Sequence, residues 1–462
     1  MSGIKDLTKV FGGGTSSARQ FGMIATLVVT IVIFQALTGG LTLQPANLIA
    51  VVSQYSYILI LAIGMVMVIV AGHIDLSVGS VAAFSGILVA TAMNTWNFPW
   101  PLAIVFGLVI GALIGAWQGF WVAYVGVPAF IVTLAGMLLF RGANQFVGDA
   151  NTVPVPEGYT SIGAGYLPEF GPSTGYNNAT LLLGLVLAAA VVWRELRLRR
   201  QQKAMGSDMA PVWVSVVKVV VLVAIIAYAA TLFCGGRVGT SFPISGIILG
   251  VLVLLYGFVT QNTIFGRHIY AVGGNAHAAE LSGVKAKRVN FFVMMNMSVL
   301  ASLAGMIYVA RAGASGPQDG LNWELDAIAS VFIGGAAVSG GIGTVLGSIV
   351  GGLVIAFLNN GLQLLGVGSD LVQMIKGLVL LLAVAVDVYN KSQGRPSIVG
   401  LLTRGLRRDS RGVAAPASAS NAAAADPGAQ GGVGTDGDST SSTPTPAGDL
   451  SDTQRPKSTT LN

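Results

Sequence analysis

Along residues 21–390 the chain alternates between long apolar runs and short breaks of glycine, proline or polar residues. Inside a membrane the helical period carries little information, so run length and punctuation are the signal. They predict crossing helices at 21–38, 47–71, 77–93, 101–124, 127–147, 180–193, 212–233, 242–259, 291–311, 326–340, 344–365 and 371–389, twelve in all. The runs at 77–93, 180–193 and 326–340 are short or glycine-rich. Where these are re-entrant or broken, the count falls toward ten. The expected fold class is all-α, a polytopic membrane protein of 10–12 helices.

Composition agrees with the pattern. The chain is 53% hydrophobic and 10% charged, against about 25% charged for an ordinary soluble domain. Its mean hydropathy is +0.74. A single cysteine, Cys234, excludes a disulfide framework. The three histidines, His73, His268 and His277, are too far apart for a local metal motif, so no metal site is expected. The net charge of +6 does not point to nucleic acid, because the charges sit in loops.

Those loop charges orient the chain. With the N-terminus inside and twelve crossings, the inside segments hold Lys5, Lys9 and Arg19, then Arg194, Arg197, Arg199, Arg200 and Lys203, then Arg267, Lys285, Lys287 and Arg288, then Lys391 onward. The segment 148–179 falls outside and has acids but no Lys or Arg. Both termini are therefore expected in the cytoplasm. Residues 1–20 form a cytoplasmic N-terminal segment without a cleavable signal, and 21–390 the transmembrane domain. Residues 391–462 form a tail whose Ala, Ser, Thr, Gly, Pro and Asp content predicts disorder.

Two stretches interrupt the apolar pattern in an unusual way. "VAGHIDLSVGS" (70–80) places His73, Asp75 and Ser77 between Gly72 and Gly79. It reads as a helix break or gate: Gly72 and Gly79 allow non-helical backbone angles, and Asp75 or Ser77 caps the next helix. Sugar contact by Asp75 and a proton relay through His73 and Asp75 are the competing roles. "VSGGIGTVLGS" (338–348) echoes it at Val70/Val338, Gly72/Gly340, Ile74/Ile342, Gly79/Gly347 and Ser80/Ser348. A two-fold internal repeat leaves such an echo, and so does chance in glycine-rich membrane sequence.

Absences narrow the chemistry. The chain contains no G-x-x-x-x-G-K-[ST], no G-x-S-x-G and no H-E-x-x-H. It has no P-loop and none of these enzyme motifs. Ion-coupled carriers expose their mechanism as intramembrane ionisable residues. Here His73, Asp75 and Lys376 are the candidates, with Lys376 placed to snorkel.

The loop 260–290 is where energy from a separate ATPase would enter. Asn275 is an N-cap, "AHAAEL" a two-turn helix and Gly283 its C-terminal stop, with Gly273 and Gly274 permitting a sharp entry. Such a helix is too short to be stable alone and must dock. It suits either a capped connector or a coupling helix seated in a separate ATPase.

"GRHIYAVGGNAHAAELSGVKAKRV", "LDAIASVFIGGAAVSGGIGTVLGSIVGGLVIAFLNNGLQLLGV", "VAGHIDLSVGS" and "VPAFIVTLAGMLLFRG" resemble the membrane permease subunits of bacterial ABC importers for monosaccharides, the ribose, xylose and galactose type. The resemblance runs from about residue 40 to 390. The long insertion around 148–240 brings it nearer the xylose type. It implies a plasma-membrane homodimer of permeases, a cytoplasmic ABC ATPase that binds ATP and Mg, an external sugar-binding protein, and no cofactor in this chain. It implies ATPase coupling through Gly273, Gly274, Asn275, Glu280, Ser282 and Gly283. Asn144, Gln145, Asn359, Asn360 and Gln363 are buried-segment amides that either line a sugar pathway or join helices. A stand-alone ion-coupled transporter is the alternative function, and an intramembrane enzyme a third.

Overall fold

The computed structural model describes residues 15–172, 175–204, 211–236 and 239–392. Of the expected disordered tail only Lys391 and Ser392 are described, and they close the last helix rather than lie in a disordered segment; the rest of the tail, and all but the last residues of the N-terminal segment, lie outside the described residues. Fifteen helices run in chain order among the described residues: α1 Thr15–Leu37, α2 Pro45–Val70, α3 Val78–Asn94, α4 Trp100–Phe120, α5 Ala129–Val147, α6 Glu157–Ala164, α7 Asn178–Ala204, α8 Val212–Cys234, α9 Ile244–Asn262, α10 Ile264–Gly274, α11 Ala276–Leu281, α12 Ala286–Ala312, α13 Trp323–Ile333, α14 Val345–Leu364 and α15 Ser369–Ser392. Eight helical stretches are long and apolar enough to cross a membrane. The protein is an all-α, multi-pass membrane protein.

The centre is α2, apolar all round and buried all round, as such a helix must be. Helix α12 lies against α2, α3 and α4. Its contact with α4 is close because Gly107, Gly111, Gly115 and Gly119 form a stripe of small residues there. A methyl group on Gly111 would sit 2.7 Å from Ser302 Cβ. Such stripes let membrane helices approach backbone to backbone, and the Ser302 hydroxyl donates to the Gly107 carbonyl at 2.6 Å.

Two predicted crossings differ from the helices found. The run 326–340 is a half-helix: α13 has 11 residues, about 16 Å of rise. The rest of that crossing is the non-helical stretch 316–322 before it. The run 180–193 extends to Ala204, because the charged residues that follow are good helix formers and are exposed. At one end of the bundle, Val153–Pro154 pairs antiparallel with Ala314–Ser315. At the other, the loop 260–290 meets the end of α2 and the non-helical stretch between α13 and α14.

Candidate functional site

The first helix break starts where α2 stops. Gly72 takes φ +87°, in the left-handed region that favours glycine, and helix resumes at Val78. Asp75, 1% exposed, turns its Oδ1 to accept the Ser77 backbone N–H at 2.8 Å and the Ser77 hydroxyl at 2.7 Å. Asp75 thus closes the turn before α3, while the Ser77 side chain makes no cap bond. The Gln118 amide on α4 donates to the Ser77 hydroxyl at 2.8 Å, tying the break to a second helix.

Gly79 corrects an expectation. It lies inside α3 with no unusual backbone angle. Its role is close approach: an added methyl group would overlap the Gly320 carbonyl oxygen and lie 2.6 Å from Glu324 Oε2. His73 sits beside Asn290 of α12, and no hydrogen bond joins it to Asp75 among the described residues.

This geometry predicts the effect of substitution. Asp75→Asn keeps an acceptor for the Ser77 N–H and is expected to melt near the wild type. Asp75→Ala strands a buried donor and is expected to cost about 1–3 kcal/mol. Thermal unfolding in detergent separates the two. Strong loss of transport by a normally folded Asn variant would mean that the carboxylate does more than cap.

The second break follows α13. Gly335, Gly340 and Gly341 all take positive φ, and Thr344 restarts the helix by accepting the Gly347 N–H at 3.0 Å. The two echoing stretches touch: a methyl group on Gly340 would stand 3.1 Å from Gly72 Cα. Their following helices start within one residue of the aligned position, at Val78 and Val345. Gly79 and Gly347 each abut a backbone carbonyl, of Gly320 and Gly334. The echo is therefore conformational as well as sequential.

The loop 260–290 holds the expected short helix. Asn275 Oδ1 accepts the Ala278 N–H at 3.0 Å, and Gly283, at φ +87°, ends α11. Glu280 and Ser282 are exposed on it, and Leu281 is 78% exposed. A second helix, α10, precedes it. Thr263, which caps α10 by accepting the Gly266 N–H at 3.1 Å, was the available signal.

Gly273 and Gly274 do not make the sharp entry expected of them. They close α10 in ordinary backbone geometry. Gly273 is instead pressed against both breaks. An added methyl group would overlap the Val70 carbonyl oxygen and lie 2.9 Å from the Gly341 nitrogen, whereas at Gly274 it would meet nothing within 4 Å. The Gly341 N–H itself donates to Val70 O at 2.8 Å. Tyr270 on α10 donates to Gly343 O at 2.7 Å. Burial raises that phenol above its usual range, which keeps it a neutral donor. The loop 260–290 and both helix breaks thus meet in one backbone junction.

The five amides separate. Asn360 exchanges two hydrogen bonds with Asn47, at 2.8 and 2.9 Å, joining α14 to α2. Asn144 is buried and donates to the Gly316 and Pro317 carbonyls at 3.3 Å. Gln145, its neighbour, is exposed. Asn359 is buried beside Asp326. Gln363, one turn on, is exposed and accepts from the Tyr55 hydroxyl at 3.4 Å.

Buried charge was underestimated from sequence. Glu324 and Asp326, both buried in the first turn of α13, were not among the ionisable residues expected inside the membrane. Arg141 approaches Glu324 at 4.0 Å. Lys376 does not snorkel: its ammonium contacts Asp326 Oδ1 at 2.9 Å. Asp326, Lys376, Gln373 and Asn322 line a cleft between α13, α14 and α15. Among the described residues no cluster of His, Cys, Asp or Glu is arranged to hold a metal.

Two helix breaks that meet one loop, inside a multi-pass helical bundle, are an architecture suited to a membrane permease. Residues 47–384 match the family described as the permease component of branched-chain amino acid transport systems, and the chain belongs to that family. Among curated relatives, the xylose transport system permease protein XylH of Haemophilus influenzae is 38% identical over 372 residues, covering 80% of this chain and 96% of the relative. The Escherichia coli K12 protein of the same description is 40% identical over 82% of this chain and 95% of its own. The ribose import permease protein RbsC of Escherichia coli K12 is 34% identical over 81% and 94%. The resemblance to monosaccharide permeases, nearer the xylose type, is borne out. No solved structure gives a significant match.

Proposed function

We propose that this chain is the membrane permease of an ATP-driven ABC importer that carries a monosaccharide, a pentose such as xylose, into the cell. It works as a homodimer with a cytoplasmic ATPase that binds ATP and Mg and an external sugar-binding protein that selects the substrate. The observation that carries this reading is the junction of the docking loop with both helix breaks. A partner that moves α11 pushes, through Gly273, on the end of α2 and on the break between α13 and α14 together. The chain itself has no P-loop to supply that motion.

The sugar rests on the relatives. Their names specify xylose and ribose, while the broader family description specifies branched-chain amino acids. The proteins that match this chain over nearly their whole length favour a pentose. Orientation rests on two clusters. The segments that pair at Val153–Pro154 and Ala314–Ser315 both fall outside by the charge rule, and the three that meet at Gly273 all fall inside. That supports cytoplasmic termini in the plasma membrane.

Proteoliposomes holding this chain, its ATPase and its binding protein test the reading. Xylose is expected to stimulate ATP hydrolysis and uptake, with ribose weaker and leucine inert. Stimulation by leucine alone would move the substrate class to amino acids. Uptake by this chain alone, down an ion gradient, would replace the importer with a secondary carrier and make Asp75, Asp326 and Lys376 its first suspects.

A further inference from the structure

Helices α7 and α8 form a hairpin at the edge of the bundle. They pack on each other, and α8 reaches the rest through α2. The side of α7 turned to α8 carries Gly184, where a methyl group would lie 2.8 Å from Ala230 Cβ. It also carries Glu195, which accepts from Ser215 and pairs with Lys218 at 3.2 Å. The single acid near the end of α7 is therefore directed at α8.

The opposite side is different. Leu182, Val186, Ala189, Trp193, Arg197 and Arg200 recur at helical spacing on one face, and all six are exposed. The face grades along its length from aliphatic to aromatic to cationic. Arg197 lies over the Trp193 ring, 5.4 Å from its centroid. Neither Arg197 nor Arg200 has an ion pair among the described residues. Helix α7 has 27 residues, about 40 Å of rise against about 30 Å of hydrocarbon. Its last turns must stand in the headgroup layer, with Trp193 at the boundary that indole rings prefer.

The geometry points to a binding site for an anionic phospholipid on this face. Arg197 and Arg200 hold the phosphate, Trp193 stacks on Arg197 and shapes the headgroup end, and Val186 and Leu182 take an acyl chain. Charge complementarity selects this occupant. A zwitterionic lipid brings its own cation to the two guanidiniums, and a protein partner would need an acidic patch set above a greasy one at the same depth.

The test uses the whole protein, released from equimolar phosphatidylglycerol and phosphatidylcholine and weighed by native mass spectrometry. The wild type is expected to retain phosphatidylglycerol preferentially. R197Q/R200Q is expected to lower that preference at least about fivefold, the worth of one cation near an anionic surface. R194Q/K203Q removes the same charge from the same end but off this face, and is expected to lower it far less. Equal loss in both pairs would mean diffuse attraction and no site. An unchanged preference in R197Q/R200Q, or a photo-crosslinker at Ala189 that captures protein in place of lipid, would overturn the assignment.

Discussion

Gly273→Ala is expected to uncouple the importer while Gly274→Ala leaves it working. The two glycines are adjacent and chemically identical, so only their surroundings can separate them. At Gly273 a methyl group overlaps the Val70 carbonyl oxygen and crowds the Gly341 nitrogen, two groups already bonded to each other at 2.8 Å. Neither is a side chain that can rotate away. The α10–α11 turn must lift off both helix ends, at about the 1–3 kcal/mol that overpacking costs. At Gly274 the methyl group faces open space and, at the end of α10, even favours helix. In proteoliposomes, Gly273→Ala should lose about tenfold or more of its sugar-stimulated ATPase activity and uptake, equivalent to about 1.4 kcal/mol of lost coupling. The purified protein should stay monodisperse and the basal ATPase rate of the proposed partner intact. If both variants behave alike, the contact between the loop and the breaks does not transmit motion.

That distinction was out of reach of the sequence, and the reason is instructive. Apolar runs, the Asn275 cap and the Gly283 stop are local chemistry, so α11 and the main crossings were legible residue by residue. Glycine is ambiguous, because one letter serves both for a backbone angle and for close approach. Gly72 proved to be the first kind, at φ +87°. Gly79 and Gly273 proved to be the second, with partners hundreds of residues away in the case of Gly79 and Glu324. The half-helix α13 was blurred for a related reason. Its crossing is shared between the non-helical stretch 316–322 and 11 helical residues, so no window of the chain looks like a full span. Glu324 falls just before the predicted run 326–340 and Asp326 at its first position, so neither stood out as a buried charge. Lys376 then lacked an acid partner and seemed to reach for the headgroups.

Lys376→Met is expected to destabilise the protein strongly, and Asp326→Asn to restore most of the loss when combined with it. Asp326 is 6% exposed and its carboxylate meets Lys376 at 2.9 Å. Removing the ammonium leaves a buried charge without its counter-ion, a change that costs about 3–5 kcal/mol where it has been measured in proteins. Neutralising both partners removes the desolvation problem at its source, and Asn359 remains beside the new amide. A double-mutant cycle on unfolding free energy in mixed micelles should then give a coupling energy of about 1–3 kcal/mol. Additive losses would show that the pair is incidental. The pair also matters to the mechanism proposed here. Helix α15 packs mainly on α13, which leads into the break where Gly340 and Gly341 meet the loop 260–290. With both charges gone, α15 is held by apolar contact alone and the cleft lined by Gln373 and Asn322 is free to widen. The double variant should therefore recover stability more fully than sugar-stimulated uptake. Full recovery of both would confine Asp326 and Lys376 to holding the helices together.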